Sequence, residues 1–337
     1  MTTEPRFGAT TLDDERAAAL RSAVRLEWIT LGFLVVTVVA VGLVVGGSQA
    51  MRTAWIEDML SFAPPIAFLV AVRIIRRRPT AEHPYGFHRS IGVGHLVAGV
   101  ALAAMGAFLV IESITTLVLA EHPTVASFEV FGTTVWSGWF MIGVMALTIA
   151  PPVIIGRRKL RLADTLHDKL LAADADMNKA DWTTAVGSIV GVLGIGLGFW
   201  WADAAAALFI AAGILRDGVR NVRTAVLDLV DRRTQTLDGD SPHPVVEAVE
   251  SELRTTGWVT DVTVRARDEG HVFHLECFVV PRDGRTPSLD QLEEASERCI
   301  ALDWKVQDLV IVPVRELPGH DGGRRGESQG EPEDERS

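Results

Sequence analysis

Six long apolar stretches fill most of the first two thirds of the chain, and they limit what it can fold into. A helix that crosses a lipid bilayer needs about 20 consecutive, largely apolar residues. The stretches of this length, with soft boundaries, are residues 26–46, 53–75, 90–119, 132–155, 171–199 and 202–222. The mean hydropathy of +0.24 is also high for a soluble protein. The sequence therefore predicts an all-α membrane domain of six transmembrane helices over residues 26–232.

The first apolar stretch is expected to be a membrane helix and not a cleaved signal peptide. Asp13, Asp14 and Glu15 precede it together with arginines, and no small-residue cleavage site follows at a suitable distance. Residues 1–25 are then expected to form a cytoplasmic N-terminal segment.

Basic residues mark one side of the predicted membrane domain. They follow the second, fourth and sixth stretches: Arg73, Arg76, Arg77, Arg78, Arg89, Arg157, Arg158, Lys159, Arg161, Lys169, Arg216, Arg220 and Arg223. The opposite connections hold only Arg52. Because an excess of Lys and Arg marks the cytoplasmic side, we expect a multi-pass cell-membrane protein with both termini in the cytoplasm.

The pattern changes after Val230 to that of a soluble domain. Residues 244–255 predict an amphipathic helix, residues 259–265, 271–280 and 306–314 predict strands, and Ser288 is placed to cap a second helix. The order αββαβ predicts a small cytoplasmic α+β domain, ferredoxin-like, over residues 240–316. Residues 317–337 are Gly-, Glu-, Arg- and Ser-rich, and are expected to be disordered.

Composition argues against several other functions. The formal net charge of -11 disfavours nucleic-acid binding. Cys277 and Cys299 form no Cys-x-x-Cys or Cys/His cluster, which disfavours a zinc finger. The chain has no phosphate-binding loop or nucleophile elbow, so we do not expect an enzyme.

Acidic and polar residues inside the second and fifth stretches are the strongest functional signal, because ionisable groups in a bilayer are expensive. The candidate metal ligands are Glu57, Asp58, Ser61, Asp174, Met177, Asn178 and Asp181. Those from 174 onward share one helical face, and Glu57 and Ser61 share another. Two facing carboxylate helices would repel unless a cation or protons lay between them. Two alternatives stay open: Asp174 and Asp176 at the cytoplasmic mouth, and Glu57 in the outer headgroup region.

Histidines elsewhere are weaker candidates. His95 is expected to be a packing residue, and His167 and Asp168 are expected to be solvated in a charged loop. His271 and His274 lie three apart in a predicted strand and would point to opposite faces.

The chain resembles the cation diffusion facilitators over residues 25–315. The resemblance lies in the six helices, the acidic second helix, His83-Pro84-Tyr85-Gly86 followed by Arg89, Trp201-Ala202-Asp203-Ala204, Leu229-Val230-Asp231-Arg232 and the αββαβ tail. It implies a homodimeric exporter that exchanges a divalent metal ion for protons. It also implies that Arg89 and Asp231 can link the two protomers, with an exposed pair of little energy as an equal alternative.

The resemblance implies a transport site of two ligands four residues apart on each of helices 2 and 5. The matching positions are Glu57 and Ser61, and Met177 and Asp181. Only Asp181 fits outright, Glu57 is a conservative change, and Ser61 and Met177 depart from the Asp or His of the family. Asp174 or Asn178 could supply the missing ligand on helix 5, and Asp58 could replace Glu57.

These departures leave the transported metal open among manganese, iron(II), cobalt and zinc. A site without the helix 5 histidine should favour oxygen-loving ions such as manganese or iron(II). In the tail, His274 matches a family metal-binding position, but the last strand lacks the usual histidine, so we expect no complete regulatory site there. The sequence therefore predicts a proton-coupled divalent cation exporter in the lipid bilayer; a transport-inactive metal sensor or scaffold of the same fold is the alternative.

Overall fold

Long helices account for most of the described residues. The computed structural model describes residues 12–44, 58–120, 127–130 and 133–318. The helices of its N-terminal part are α1 (Asp14–Val44), α2 (Ala63–Ile75), α3 (Ser90–Val118), α4 (Ser137–Leu166), α5 (Lys169–Gly196) and α6 (Ala202–Leu229). Within the described residues, three helical segments have the length and apolarity to cross a membrane: Asp14–Val39, Asp58–Ile75 and Ser90–Val118. The other three predicted spans stay predictions.

Two of the helices are longer than the apolar stretches that predicted them. Helix α1 begins twelve residues before residue 26, at Asp14, and α4 continues past residue 155 to Leu166. Hydropathy detects the part of a helix that matches the bilayer, whereas its polar extension keeps the same backbone hydrogen bonds. Arg157, Arg158, Lys159 and Arg161, which follow the fourth apolar stretch, therefore lie within α4.

A short hairpin that the sequence did not predict precedes α4. Strands β1 (Ser127–Val130) and β2 (Thr133–Trp136) pair antiparallel, with Ser127 opposite Trp136. The apolar stretch assigned to the fourth span therefore begins as a strand and becomes helical only at Ser137.

The described chain divides into two compact units. The first comprises the chain up to His243 together with Ala266–His274, and the second comprises Pro244–Arg265 and the chain from Leu275 on. In the first unit, Phe68, Leu102 and Met177 are among the largest fully buried side chains. Helices α3 and α6 pack with very close backbones: a Cβ added at Gly106 would lie 2.5 Å from the amide nitrogen of Leu215.

The C-terminal elements follow the order that the sequence predicted. They are α7 (Val245–Thr255), β3 (Val259–Asp268), β4 (Phe273–Pro281), a 3₁₀ turn (Arg282–Gly284), α8 (Leu289–Ile300) and β5 (Val306–Pro313). The three strands form one sheet in the order β3-β4-β5. The predicted cap of α8 is confirmed, because Ser288 and Gln291 form a reciprocal capping box. The predicted disordered tail is residues 317–337, and all of it after residue 318 lies outside the described residues.

Candidate metal site

The second predicted span is interrupted at the place where its polar residues lie. Residues 58–60 are helical, residues 61 and 62 form a turn, and α2 then starts at Ala63. Pro64 and Pro65 occupy the first turn of α2. Proline lacks the amide hydrogen and its ring crowds the carbonyl four residues earlier, so this pair weakens the helical hydrogen bonding across residues 61 and 62. Ser61 is consequently at a helix start, and it is 3% exposed.

Ser61 and Asp181 join the start of α2 to α5. The Ser61 hydroxyl donates a hydrogen bond of 3.1 Å to Oδ1 of Asp181. Asp58, three residues before Ser61, interacts electrostatically with Asp181, as do Lys159 and Asp174. Two carboxylates and a hydroxyl thus lie near one another, and oxygen ligands of this kind suit hard and intermediate divalent cations. Glu57, the other predicted ligand of this segment, lies outside the described residues.

Met177 and Asn178 lie one turn before Asp181. Met177 is 1% exposed and belongs to an apolar cluster with Leu102, Met105 and Ile214. Asn178 is 5% exposed and donates a hydrogen bond of 2.9 Å to the backbone carbonyl of Asp174. The amide nitrogen of Asn178 is thus directed back along α5, toward its N-terminus.

Asp174 is engaged by a lysine. Its Oδ2 lies 2.7 Å from Nζ of Lys159 in α4, and the same ammonium lies 2.8 Å from Oε2 of Glu27 in α1. None of the three side chains is more than 2% exposed. The structure therefore places Asp174 in a buried ion cluster, which we call the Lys159 cluster (Glu27, Lys159 and Asp174).

Asp176 belongs to a separate polar chain. Asn221 in α6 donates a hydrogen bond of 3.0 Å to Oδ2 of Asp176, and its Oδ1 lies 3.1 Å from Nε2 of His95 in α3. His95 is 3% exposed, in keeping with its predicted packing role. Asp174 and Asp176 are thus directed to different neighbours, as residues two apart on a helix must be.

The described residues do not contain a complete set of strong metal ligands. Within residues 12–44, 58–120, 127–130 and 133–318, no three His, Cys, Asp or Glu side chains are grouped so that they could hold a metal ion. Asp181 is the carboxylate that the structure brings into contact with Ser61, and Asp58 precedes Ser61 by three residues. Further ligands would have to come from the undescribed segment that includes Glu57, from neutral oxygens, or from Met177.

Arg89 and Asp231 form an ion pair within one chain. A second nitrogen of Arg89 donates a hydrogen bond of 3.0 Å to the carbonyl of Leu229, at the end of α6. Arg267 lies 3.2 Å from Glu269, which is also near Arg89. The two predicted interface residues therefore satisfy each other without a second protomer.

Asp168 is buried, so the prediction that it is solvated was wrong. It is 0% exposed, accepts a hydrogen bond of 3.0 Å from the amide of Leu171, and lies 3.0 Å from Nε2 of His271. This contact caps α5 and compensates the buried carboxylate. Its charged surroundings in the sequence suggested a loop, but the connection between α4 and α5 is only two residues long. His274 is 7% exposed, beside the ring of Tyr85.

The sequence interpretation did not single out Glu27, and it counted Lys159 only among the basic residues that mark the cytoplasmic side. A signal for Glu27 was available, because it is an acidic residue at the beginning of the first apolar stretch. Lys159 had no such signal, since it lies among Arg157, Arg158 and Arg161. The rotation of α4 about its axis decides that Lys159 points inward while its neighbouring arginines are exposed.

Residues 27–230 match the family model described as the cation efflux transmembrane domain. Over 73% of its length the chain is 25% identical to an uncharacterized transporter of Bacillus subtilis, YdbO, covering 80% of that protein. It is 23% identical to the manganese efflux system protein MneS of the same organism, over 71% of this chain and 77% of MneS. It is 24% identical to mitochondrial metal transporter 1 of Saccharomyces cerevisiae, over 66% of this chain and 46% of that protein.

Proposed function

Because this chain belongs to the cation efflux family, a family of membrane transporters and not of enzymes, we propose that it exports a divalent metal cation in exchange for protons. The resemblance to cation diffusion facilitators is thereby confirmed at the level of the family. The observation that supports a site between helices 2 and 5 is the hydrogen bond from Ser61 to Asp181 beside Asp58.

In this proposal Asp181 is the central ligand, and Asp58 and Ser61 supply the ligands from the start of helix 2. Glu57 would add a carboxylate from the segment before the helix break, and Met177 and Asn178 are one turn away on α5. Asp174, seven residues from Asp181, would take part only after release from Lys159. A site of mainly oxygen ligands favours manganese or iron(II) over zinc, and the name of MneS supports manganese as the first ion to test.

Competition for the same oxygens would couple the metal to protons. A carboxylate must be deprotonated to bind a metal ion, so metal binding displaces protons, and protons from the far side displace the metal. The cation would enter from the cytoplasm, and the helices around the interruption at Ser61 would open to one side and then to the other. Broken helices at cation sites recur in secondary transporters, because the interruption exposes polar groups to the ion path.

The same proposal includes the topology and assembly. Residues 26–232 would form six spans with both termini in the cytoplasm, followed by a ferredoxin-like domain over residues 240–316. The chain would act as a homodimer, an assembly that is proposed from the family likeness. Arg89 and Asp231 pair within one protomer and would make the surface of that protomer near the interface more rigid.

Transport by reconstituted protein tests the proposal. Proteoliposomes containing a pH-sensitive dye should show Mn²⁺ uptake with opposite proton movement, and Asp181→Asn should reduce both by at least about 100-fold, because it removes the central carboxylate. Glu112→Gln, which removes a carboxylate from α3, is the matched control and should retain transport. Equal Mn²⁺ movement in wild type and Asp181→Asn would contradict the site.

A transport-inactive metal sensor or scaffold is the second candidate. It is favoured by the incomplete ligand set in the described residues and by Ser61 and Met177 at two of the four family positions. Mn²⁺ binding to purified protein without proton movement for any of manganese, iron(II), cobalt or zinc would support it over export.

A further inference from the structure

The Lys159 cluster is arranged like a cation-binding site in which the cation is the side-chain ammonium of Lys159. Oε2 of Glu27 and Oδ2 of Asp174 come from different helices, and both lie within 2.8 Å of the Lys159 ammonium. The three side chains are at most 2% exposed. A metal ion at this point would need carboxylate oxygens from two helices directed at one position. The Lys159 ammonium already occupies such a position.

Charge supports the same interpretation. Removal of the ammonium would leave two facing carboxyl groups, whose charge after ionisation a single divalent cation neutralises. Glu27 and Asp174 interact with each other as well as with the Lys159 ammonium. Burial of an uncompensated carboxylate is unfavourable, so both acids depend on the charge at this position.

We propose that Lys159 is a tethered cation that occupies a second, latent divalent metal site formed by Glu27 and Asp174. It holds α1, α4 and α5 together and keeps Asp174 from binding the transported ion. Asp174 precedes Asp181 by seven residues, which is about 10 Å along a helix. It follows that Asp181 is the carboxylate of α5 that binds the transported ion, and this consequence rests on the proposed function. The latent site itself does not rest on it.

Counting bound Mn²⁺ tests the proposal. Full-length protein in detergent is dialysed against Mn²⁺ and analysed for metal per chain. Lys159→Met, which keeps most of the side-chain length and removes the charge, should bind one more Mn²⁺ than wild type. Lys159→Arg should bind the wild-type number, and the triple variant Lys159→Met/Glu27→Gln/Asp174→Asn should lose the additional ion. A wild-type count in folded Lys159→Met, or an additional ion that persists in the triple variant, would overturn the proposal.

Two further measurements separate the remaining outcomes. In an Asp181→Asn background the additional ion of Lys159→Met should still appear, whereas loss of one ion from Asp181→Asn alone reports on the proposed transport site. If Lys159→Met is unstable without metal, Mn²⁺ should raise its unfolding temperature more than that of wild type. Failure of Mn²⁺ to stabilise it, while the triple variant folds without metal, would also overturn the proposal.

Discussion

The hydroxyl of Ser61 donates a hydrogen bond of 3.1 Å to Asp181, a residue 120 positions later in the chain. This contact joins the turn before α2 to the middle of α5. It predicts that the hydroxyl orients Asp181 for its ligand.

Removal of this hydroxyl should weaken cation binding. Ser61→Ala is expected to reduce Mn²⁺ affinity about tenfold, because a hydrogen bond to a charged group contributes about 1.5 kcal/mol. Ser61→Thr keeps the hydroxyl and should bind nearly as wild type. Titration of both purified variants by calorimetry gives the comparison, and equal affinities of Ser61→Ala and wild type would contradict an orienting role.

Met177 should influence which metal is preferred. Met177→His places an imidazole one turn from Asp181. Imidazole is a good ligand for zinc, whereas manganese prefers oxygen ligands. The ratio of Zn²⁺ to Mn²⁺ transport in proteoliposomes is expected to rise at least about tenfold. Met105→His, in the same apolar cluster but on α3, is the control and should leave the ratio unchanged.

Asp168 should stabilise the first unit. Asp168→Ala removes the cap of α5 and the partner of buried His271, so the free energy of unfolding should fall by about 1–3 kcal/mol. Thermal unfolding in detergent measures the change. Asp164→Ala, an exposed acid in the last turn of α4, is the matched control and should have little effect; comparable losses from the two substitutions would contradict the cap.

The close approach of α3 and α6 should not tolerate a side chain. A Cβ at Gly218 would lie 2.4 Å from the amide nitrogen of Ala103, so Gly218→Ala must separate the helices. We expect a loss of about 1–3 kcal/mol in stability, as for other overpacked interiors. Gly213→Ala on the same helix meets nothing within 4 Å and should not destabilise the protein, which a thermal melt of both variants can check.

The two cysteines should report on unfolding of the second unit. Both thiols are 0% exposed, and burial raises the pKa of Cys299 to about 11 and that of Cys277 further. Since the thiolate is the nucleophile, neither should react with iodoacetamide at pH 8 until the unit unfolds in urea. The unfolded thiols ionise at a lower pH than the folded ones, so stability should decline as pH rises above about 9. Mass spectrometry of labelled native protein would contradict this if either thiol had reacted.

Hydropathy and turn chemistry predicted much of the helical framework and the elements of the second unit. They succeeded for α3 and for the cap at Ser288, because these depend on local residue type. They failed for the ends of α1 and α4 and for the β1–β2 hairpin, where a polar extension or a pairing partner decides the structure. They also treated Asp168 as solvated, because neighbouring charges in a sequence do not show which side chain points inward.

By itself, the sequence determined that this chain enters a membrane and that its second and fifth apolar stretches carry acids. Apolar length and the cost of buried charge act on each stretch separately, so a pattern along the chain is enough to detect them. The tertiary structure alone decided which acids share a neighbour. Asp181 meets Ser61, whereas Asp174, on the same face of α5, meets Lys159 and Glu27. Those pairings depend on how α1, α4 and α5 are rotated and packed, which helical periodicity within one segment cannot specify.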